Sequence, residues 1–385
     1  MTHSFKHALC YVPLAAYLLF LVGFAANNPL YTWDTVPYTA SILADDRPES
    51  LHERTYAYLA SALPASSYGA LVAGPYASDL ERSAEHFATQ LPMYSVKPAY
   101  IGLLRGLNQL GADPLDALLI LSLVPGVLIC LLMALWLRRY ADPLHTSLIV
   151  VLFAIAARLT DLSRVPVPDN LSALAILAAL FMLIELRWTK AAVGLLVFSV
   201  SIRTNNILFV GLVLAWQAWT GFAASRSVRS ADFLFYASAL VLGSGVYFAI
   251  SNAYDYQWWR LFTHTFIQSQ VDISTFTAPF SLTEYWEVVS RAALRTVANG
   301  ATLATALPFF VMLLILTLSG SWTQLRTEIL TPSPRPSLLP ITALCLPVFG
   351  AFFLLFPLVT GWDRFYVPFY ALITILATQN RAKSL

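Results

Sequence analysis

Long apolar runs alternate with short polar connections along most of this 385-residue chain. A window of about 20 apolar residues is long enough to cross a bilayer as a helix. The pattern therefore predicts an all-α polytopic membrane protein with about ten transmembrane helices. These helices are expected near residues 8–26, 114–137, 143–160, 169–186, 188–202, 204–221, 231–251, 300–320, 338–359 and 364–379.

Two long polar segments interrupt the apolar runs, residues 27–113 and 252–299, which we call the first and second long connections. Both are rich in aromatic residues and contain amphipathic stretches, at residues 51–63 and 78–90 in the first connection and in LTEYWEVVSRAAL in the second. Since Trp and Tyr prefer the membrane–water boundary, we expect interfacial helices in both connections, including residues 98–110. We also expect the two connections to pack together over a cavity.

The composition agrees with a single transmembrane domain covering residues 1–385. Hydrophobic residues make up 58% of the chain and charged residues only 11%, whereas a soluble domain carries about a quarter charged residues. This excludes a soluble enzyme, a disordered protein and a nucleic-acid-binding protein. The first apolar run exceeds the 7–15 residues or so of a signal peptide's apolar region, so we interpret it as an uncleaved helix.

Basic residues orient the predicted helices, because cytoplasmic connections are enriched in Lys and Arg. With the N-terminus inside, every inner connection carries basic charge. The inner basic residues are Lys6, Arg138, Arg139, Arg187, Lys190, Arg226, Arg229, Arg326, Arg335, Arg381 and Lys383. The inner acids are only Asp142, Glu185, Asp232 and Glu328. The pattern predicts a multi-pass plasma (inner) membrane protein with both termini cytoplasmic and both long connections on the periplasmic or outer face.

The predicted break between the helices at 188–202 and 204–221 has an alternative. Residues 188–221 are apolar enough to form one long helix, which would place Arg203 in mid-membrane and move the SRSVRS stretch outside. The distribution of basic residues favours the hairpin.

Two outer-face carboxylates are candidates for a general base. Asp34 lies in TWDTVPY, just past the first predicted helix and between Trp33 and Tyr38. A carboxylate that faces a cavity at the membrane surface can accept a proton, although a solvated loop acid has the same pattern. Asp169 opens a predicted helix after RVPVP, so it is either a helix-capping acid or the second candidate.

Three outer-face cations are candidate ligands for a phosphate group. Lys97 lies in QLPMYSVKPAY and has the alternative of a snorkelling anchor. Arg203 lies between two short predicted helices, so it should be recessed below the surface, where charged residues are usually functional. Arg364 follows Asp363 in GWDRFY, and these two residues have the alternative of a local ion pair.

Further polar residues on the same face complete the predicted site. Besides the two carboxylates and three cations, the candidate substrate-binding residues are His52, Tyr94, Asn205 and Asp363. Together they would surround the recessed mouth of a helical bundle, which suits a water-accessible site that a lipid enters laterally. The three cysteines lie in apolar runs without a CxxC partner or a nearby His, so we predict neither a cysteine metal site nor a disulfide framework.

This layout resembles that of the GT-C superfamily of membrane glycosyltransferases. The resemblance rests on a first helix followed by a large outer loop, a second large outer loop after the seventh helix, and the stretches WDTVPY, QLPMYSVKPAY and VPDNLSAL. It is architectural and covers most of the chain. The chain departs from the superfamily in its shorter length, in its ten predicted helices and in lacking a DxD pair in the first long connection.

The resemblance implies an inverting glycosyltransferase of the EC 2.4 class. The donor would be a polyprenyl-phosphate-linked sugar, the acceptor a hydroxyl of a glycan, lipid or protein, and Asp34, matched by position, the base. No cofactor is expected, and a divalent metal stays open. Three alternatives are a transporter or flippase of a lipid-linked saccharide, a polymerase or ligase of surface polysaccharide, and a non-catalytic subunit with the same fold. A transporter often shows inverted repeats, and the chain has no matching halves.

Overall fold

The computed structural model describes residues 9–44, 47–277, 279–318, 320–331, 333, 335–357 and 362–384. Within these ranges the structure is all-helical and contains no strand. The helices are α1 (Val12–Asn27), α2 (Thr35–Leu43), α3 (Leu51–Ala62), α4 (Ala65–Leu71), α5 (Pro75–Arg82), α6 (Ala84–Ser95), α7 (Pro98–Gln109), α8 (Pro114–Leu137), α9 (Pro143–Ala156), α10 (Leu159–Leu162), α11 (Asp169–Phe181), α12 (Thr189–Ile202), α13 (Asn206–Ser225), α14 (Ala231–Ala253), α15 (Trp258–Phe266), α16 (Leu282–Ala298), α17 (Gly300–Leu318), α18 (Ser321–Leu330), α19 (Leu338–Ala343), α20 (Cys345–Leu355) and α21 (Val367–Ser384).

Several helices are long and apolar enough to cross a membrane, which agrees with an α-helical membrane protein. Within the described ranges there are five such segments, Pro114–Leu137, Asp169–Leu186, Asn206–Ser225, Ala231–Ala253 and Leu338–Leu355. Three further apolar helices, α1, α9 and α12, are shorter. Within the described residues, each of the ten apolar segments contains at least one helix, and the number of actual crossings stays a prediction.

Proline and an N-cap side chain fix the starts of two long helices. α8 and α9 begin with Pro114 and Pro143. Proline has no backbone N–H, and at the first position of a helix this costs nothing because an N–H there would have no acceptor within the helix. The preceding Asp113 and Asp142 carboxylates accept hydrogen bonds from the backbone N–H two residues further on, at 3.0 and 3.1 Å. These caps explain why the apolar segments become helical immediately after their acidic residues.

Some predicted boundaries differ in the structure. The single helix expected over residues 78–90 is wrong, because Ser83 ends α5 and its hydroxyl caps α6 by accepting the His86 N–H at 3.2 Å. Residues 188–221 form two helices, α12 and α13, which contact each other and are separated by the turn at 203–205.

α11 lies at the centre of the main hydrophobic core. It packs against α8, α12 and α21, and its buried residues cover nearly its whole circumference. Trp136, Leu177, Val200 and Leu372 are among the fully buried side chains that join these helices. Because α11 is enclosed, the first residue of the helix, Asp169, is buried as well.

The two long connections contact each other. The buried Gln90 side chain donates to the Val271 carbonyl oxygen at 2.9 Å and accepts a hydrogen bond from the Tyr76 hydroxyl at 2.8 Å. The Ile273 N–H donates to the Thr89 hydroxyl at 3.1 Å. These bonds join α6 to the irregular segment between α15 and α16.

Close packing of α8 against Ser163 and the start of α11 depends on Gly126 of α8. A Cβ at this position would collide with the Ser163 hydroxyl and would lie 3.2 Å from Nδ2 of Asn170. We expect Gly126→Ala to destabilise the protein by about 1–3 kcal/mol, since these two side chains are hydrogen-bonded to each other and must shift together. Thermal unfolding of the detergent-solubilised protein measures this effect.

Gly194→Ala is the matched control for this prediction, because nothing lies within 4 Å of a Cβ at that position in α12. Adding Ser163→Ala to Gly126→Ala should recover part of the loss by removing the colliding hydroxyl. An unchanged melting temperature for Gly126→Ala would contradict the proposed close crossing.

Candidate functional site

Four separate turns of the chain bring a series of ion pairs together. Asp34 lies between α1 and α2, Asp169 begins α11, Arg203 lies between α12 and α13, and Arg364 lies in the 3₁₀ turn Trp362–Phe365 before α21. Arg203 pairs with Asp169, Arg364 Nε lies 3.6 Å from Asp169 Oδ2, and Arg364 Nη1 lies 3.6 Å from Asp34 Oδ2. The sequence predicted all four residues as site candidates, and the structure joins them in one network.

The Asp169 carboxylate is the buried centre of this network, with 1% of its side chain exposed. No hydrogen bond from its own helix caps it, so the capping alternative from the sequence does not describe its contacts. Both guanidinium groups face it instead. Because this carboxylate contacts both arginines and is buried, Asp169 is better suited to positioning the arginines than to meeting an acceptor hydroxyl.

Phe365 supports both guanidinium groups. The Arg203 guanidinium carbon lies 3.8 Å from the centre of the Phe365 ring, and that of Arg364 lies 5.0 Å from it. Stacking on an aromatic face attracts a cation and still leaves N–H donors available at the edge of the guanidinium plane. The ring therefore holds the two arginines in position.

Lys97 lies at the junction of α6 and α7, among aromatic side chains. Its ammonium group donates a hydrogen bond to the Tyr38 hydroxyl and lies 4.9 Å and 5.3 Å from the ring centres of Tyr38 and Tyr94. Burial lowers the pKa of Lys97 to about 7, against an opposing effect of the nearby Asp34 charge. Burial also raises the pKa of Tyr38 well above its ordinary value, so this hydroxyl stays protonated.

The three cations line one large cavity of about 500 Å³. Its polar lining includes Lys97, Arg203 and Arg364 together with Asn205 and Tyr94. The remaining walls are mostly apolar or aromatic and come from α13, α15, α20 and the 3₁₀ turn. They include Leu208, Trp258, Leu261, Phe352, Phe356 and Phe365. The cavity thus combines a concentrated positive charge with a surface that suits an apolar chain.

A smaller cavity of about 30 Å³ lies behind the large one and shares Arg203, Asn205 and Arg364 with it. Asp169 and Ser172 line only this inner space, which has room for one or two water molecules. Asp169 is therefore separated from the large cavity by the two arginines that it contacts.

Asp34 occupies a different position from Asp169. Its side chain is 26% exposed and does not cap α2. Asp34 is not part of the wall of the large cavity and approaches it through Arg364. Its contact with Arg364 is 3.6 Å long, whereas a charge-assisted hydrogen bond measures about 2.7–2.9 Å. Another anion can therefore readily replace Asp34 as the partner of Arg364.

Two other predicted residues stand apart from this arrangement. The structure places His52 in the core of the first long connection, where its ring packs on Tyr56 and Phe87 and Nε2 lies 3.0 Å from the Leu80 carbonyl oxygen. These contacts give His52 a packing role rather than the predicted binding role. Asp363 belongs to the 3₁₀ turn, and its side chain lies outside the described residues.

Sequence reasoning missed the wall that the second long connection contributes. Tyr256, Trp258 and His264 line the large cavity, and His264 also contacts the Tyr76 ring of the first connection, with 5.5 Å between ring centres. The aromatic run YDYQWWRLF was the available signal. These aromatic residues suit the membrane surface equally well, so the run by itself does not indicate a cavity wall.

Comparison of the chain with protein-family models, with curated proteins and with solved structures finds no match in any of the three. Within the described part of the chain, no group of three or more His, Cys, Asp or Glu side chains is placed to hold a metal ion. The function therefore has to be inferred from the site itself.

Proposed function

We propose that the protein is an inverting glycosyltransferase that moves a sugar from a polyprenyl-phosphate donor to an acceptor hydroxyl. The observation that carries the proposal is the large cavity, where Lys97, Arg203 and Arg364 meet apolar walls. The three cations suit the phosphate, and the apolar walls suit the first part of the polyprenyl chain. A soluble sugar nucleotide would leave these apolar walls without a partner.

The reaction that this arrangement supports is a single in-line displacement. Asp34 removes the proton from the acceptor hydroxyl, whose oxygen bonds to the anomeric carbon while the bond from that carbon to the phosphate oxygen breaks. Polyprenyl phosphate leaves with the bonding electrons, and the three cations stabilise its charge. One displacement inverts the anomeric configuration.

Donor binding would also prepare the base. A phosphate that binds Arg364 replaces the long contact of that residue with Asp34, whereas Asp169 keeps the guanidinium oriented from the buried side. The freed carboxylate can then hydrogen-bond to the acceptor hydroxyl. Asp169 is thus a positioning residue in this proposal, and Asp34 is the base.

The proposal includes the membrane arrangement inferred from the basic residues. Ten helices cross the plasma membrane, both termini are cytoplasmic, and both long connections lie on the periplasmic or outer face. The turns that carry the four residues of the ion-pair network then share the outer side, where lipid-linked sugars are used without a nucleotide. The acceptor is a glycan, lipid or protein.

Binding of the donor phosphate should weaken as the pH rises through about 7, which is the test of the proposed donor site. Lys97 has a pKa of about 7, so it is charged below that pH and neutral above it. A bound anion favours the charged form. Affinity for a short-chain polyprenyl phosphosugar, measured between pH 6 and 9 in nanodiscs, is therefore expected to be highest at the acidic end.

Lys97→Arg should keep the affinity nearly constant over this pH range, because arginine stays charged. Lys97→Gln should bind weakly at every pH. The control is Lys190→Gln, which changes an exposed lysine in the first turn of α12, on the predicted inner face, and should retain the pH dependence of the unmodified protein. Equal binding by Lys97→Gln and the unmodified protein would exclude Lys97 as a donor ligand.

A further inference from the structure

A second cavity adjoins the large one, between α6 and the beginning of the second long connection. Its volume is about 130 Å³, and Met93, Tyr256 and Leu261 form walls of both cavities. The space is large enough for several water molecules, and hence for one sugar ring in their place. A ligand here would lie directly beside the contents of the large cavity.

An oppositely charged pair lines this second cavity. Arg260 Nη1 lies 2.7 Å from Asp255 Oδ2, and the Gln257 side chain donates to Asp255 Oδ1 at 3.1 Å. These contacts lower the pKa of Asp255, so its carboxylate is charged at neutral pH. The pair offers hydrogen-bond acceptors and donors side by side and carries no net charge.

The end of α14 places Asp255 at the cavity. Asp255 follows the C-cap residue Tyr254 in the left-handed conformation, with a φ of 47°, and the Tyr256 N–H donates to the Ser251 carbonyl oxygen at 2.8 Å. This is a common way for a helix to end, and aspartate adopts it more readily than most residues. The salt bridge to Arg260 and the bond from Gln257 then hold the Asp255 side chain in position.

The Arg260 guanidinium lies at the wall of the cavity. Its side chain is 18% exposed, and Nη1 is held by the salt bridge to Asp255. A guanidinium carries five N–H donors, so it can also donate to a ligand in the cavity. This group therefore favours a ligand that accepts hydrogen bonds.

We propose that the second cavity binds an uncharged saccharide, which is the acceptor of the transfer reaction. The acceptor role rests on the proposed function, whereas the saccharide class follows from the cavity. Neighbouring hydroxyl groups can each donate to Asp255 and accept from Arg260, and a neutral pair gives no preference for a charged ligand. Tyr254 and Tyr256 also line the cavity and supply aromatic rings for the apolar C–H groups of a sugar.

Saturation-transfer NMR of the full-length protein in nanodiscs tests this site. The probes are methyl glycosides of a neutral hexose, an N-acetylhexosamine and a hexuronic acid. We expect binding of a neutral glycoside and a loss of affinity of about tenfold or more in Arg260→Gln, which removes a charge-assisted hydrogen bond. Asp255→Asn should have an effect in the same direction.

Arg291→Gln is the matched control. Arg291 also lies in the second long connection and pairs with Glu287 at 3.7 Å, but it lies outside both cavities. Because Asp255 is 70% exposed, its pair with Arg260 adds little stability, and the variants should fold normally. Thermal unfolding of each variant checks this.

Donor binding in the same preparations separates the two proposals. The saccharide site is supported if a neutral glycoside binds and this binding depends on Arg260. This holds even if polyprenyl phosphosugar does not bind, a result that would contradict the proposed function. The site is overturned if no neutral glycoside binds, if the hexuronate binds more tightly, or if folded Arg260→Gln and Asp255→Asn retain the original affinity. These three results overturn it even where polyprenyl phosphosugar binds.

Discussion

Asp34→Asn should lower the rate of sugar transfer by about 10²–10⁴-fold, because general-base catalysis contributes a factor of that size. Asparagine keeps the shape of the side chain but cannot take the proton from the acceptor hydroxyl. The loss should appear in kcat with a purified protein and a polyprenyl phosphosugar. Donor affinity should be nearly unchanged, because Lys97, Arg203 and Arg364 all remain.

The Asp34→Asn variant should also fold normally. The contact between Asp34 and Arg364 is 3.6 Å long and both side chains are partly exposed, so its loss costs about 0–1 kcal/mol. Asp79→Asn is the control, since Asp79 lies in the same connection and contacts His86 at 2.5 Å outside the cavity. Transfer by Asp34→Asn at the unmodified rate would show that Asp34 is only a loop acid.

Failure of the unmodified protein to transfer sugar would have a different meaning. If it binds polyprenyl phosphosugar but transfers nothing to any acceptor tried, the cavity serves a flippase or a non-catalytic subunit. Donor binding without transfer thus separates these alternatives from an enzyme.

Arg203→Gln should produce a large loss of both stability and donor affinity. Its partner Asp169 is almost completely buried, and removal of one member of a buried pair costs about 3–5 kcal/mol because the other charge remains. Arg364 offsets part of this cost through its 3.6 Å contact with Asp169. Unfolding in detergent and titration with polyprenyl phosphosugar measure the two effects.

The double variant Arg203→Gln, Asp169→Asn separates these effects. Both charges of the pair are removed, so no unpaired Asp169 carboxylate is left buried. The double variant should therefore be more stable than Arg203→Gln alone, whereas its donor affinity should stay low. Arg139→Gln is the matched control, because Arg139 pairs with the largely buried Glu185 at 3.1 Å outside the cavity. It should lose some stability and keep donor affinity. Unchanged donor affinity in a folded Arg203→Gln would remove Arg203 from the donor site.

The sequence determined the helical architecture because the relevant signals are local. Apolar runs, prolines and capping acids such as Asp113 and Asp142 act within one or two helical turns. The break at Arg203 could be predicted for the same reason, since the polar residues interrupt an apolar run. The unpredicted split at Ser83 depended on a single capping hydrogen bond, for which a serine is only weak evidence.

The tertiary structure decided which polar residues form the site. Asp34, Asp169, Arg203 and Arg364 looked alike in the sequence as outer-face charges, and only helix packing buries Asp169 between two arginines and leaves Asp34 partly exposed. His52 had the same type of signal but packs into the core of its own connection. Residue type reveals what a side chain can do, whereas its partners come from segments far away in the chain. The sequence therefore determined the helices and which charged residues are available, and long-range packing decided which of these charges meet in a cavity.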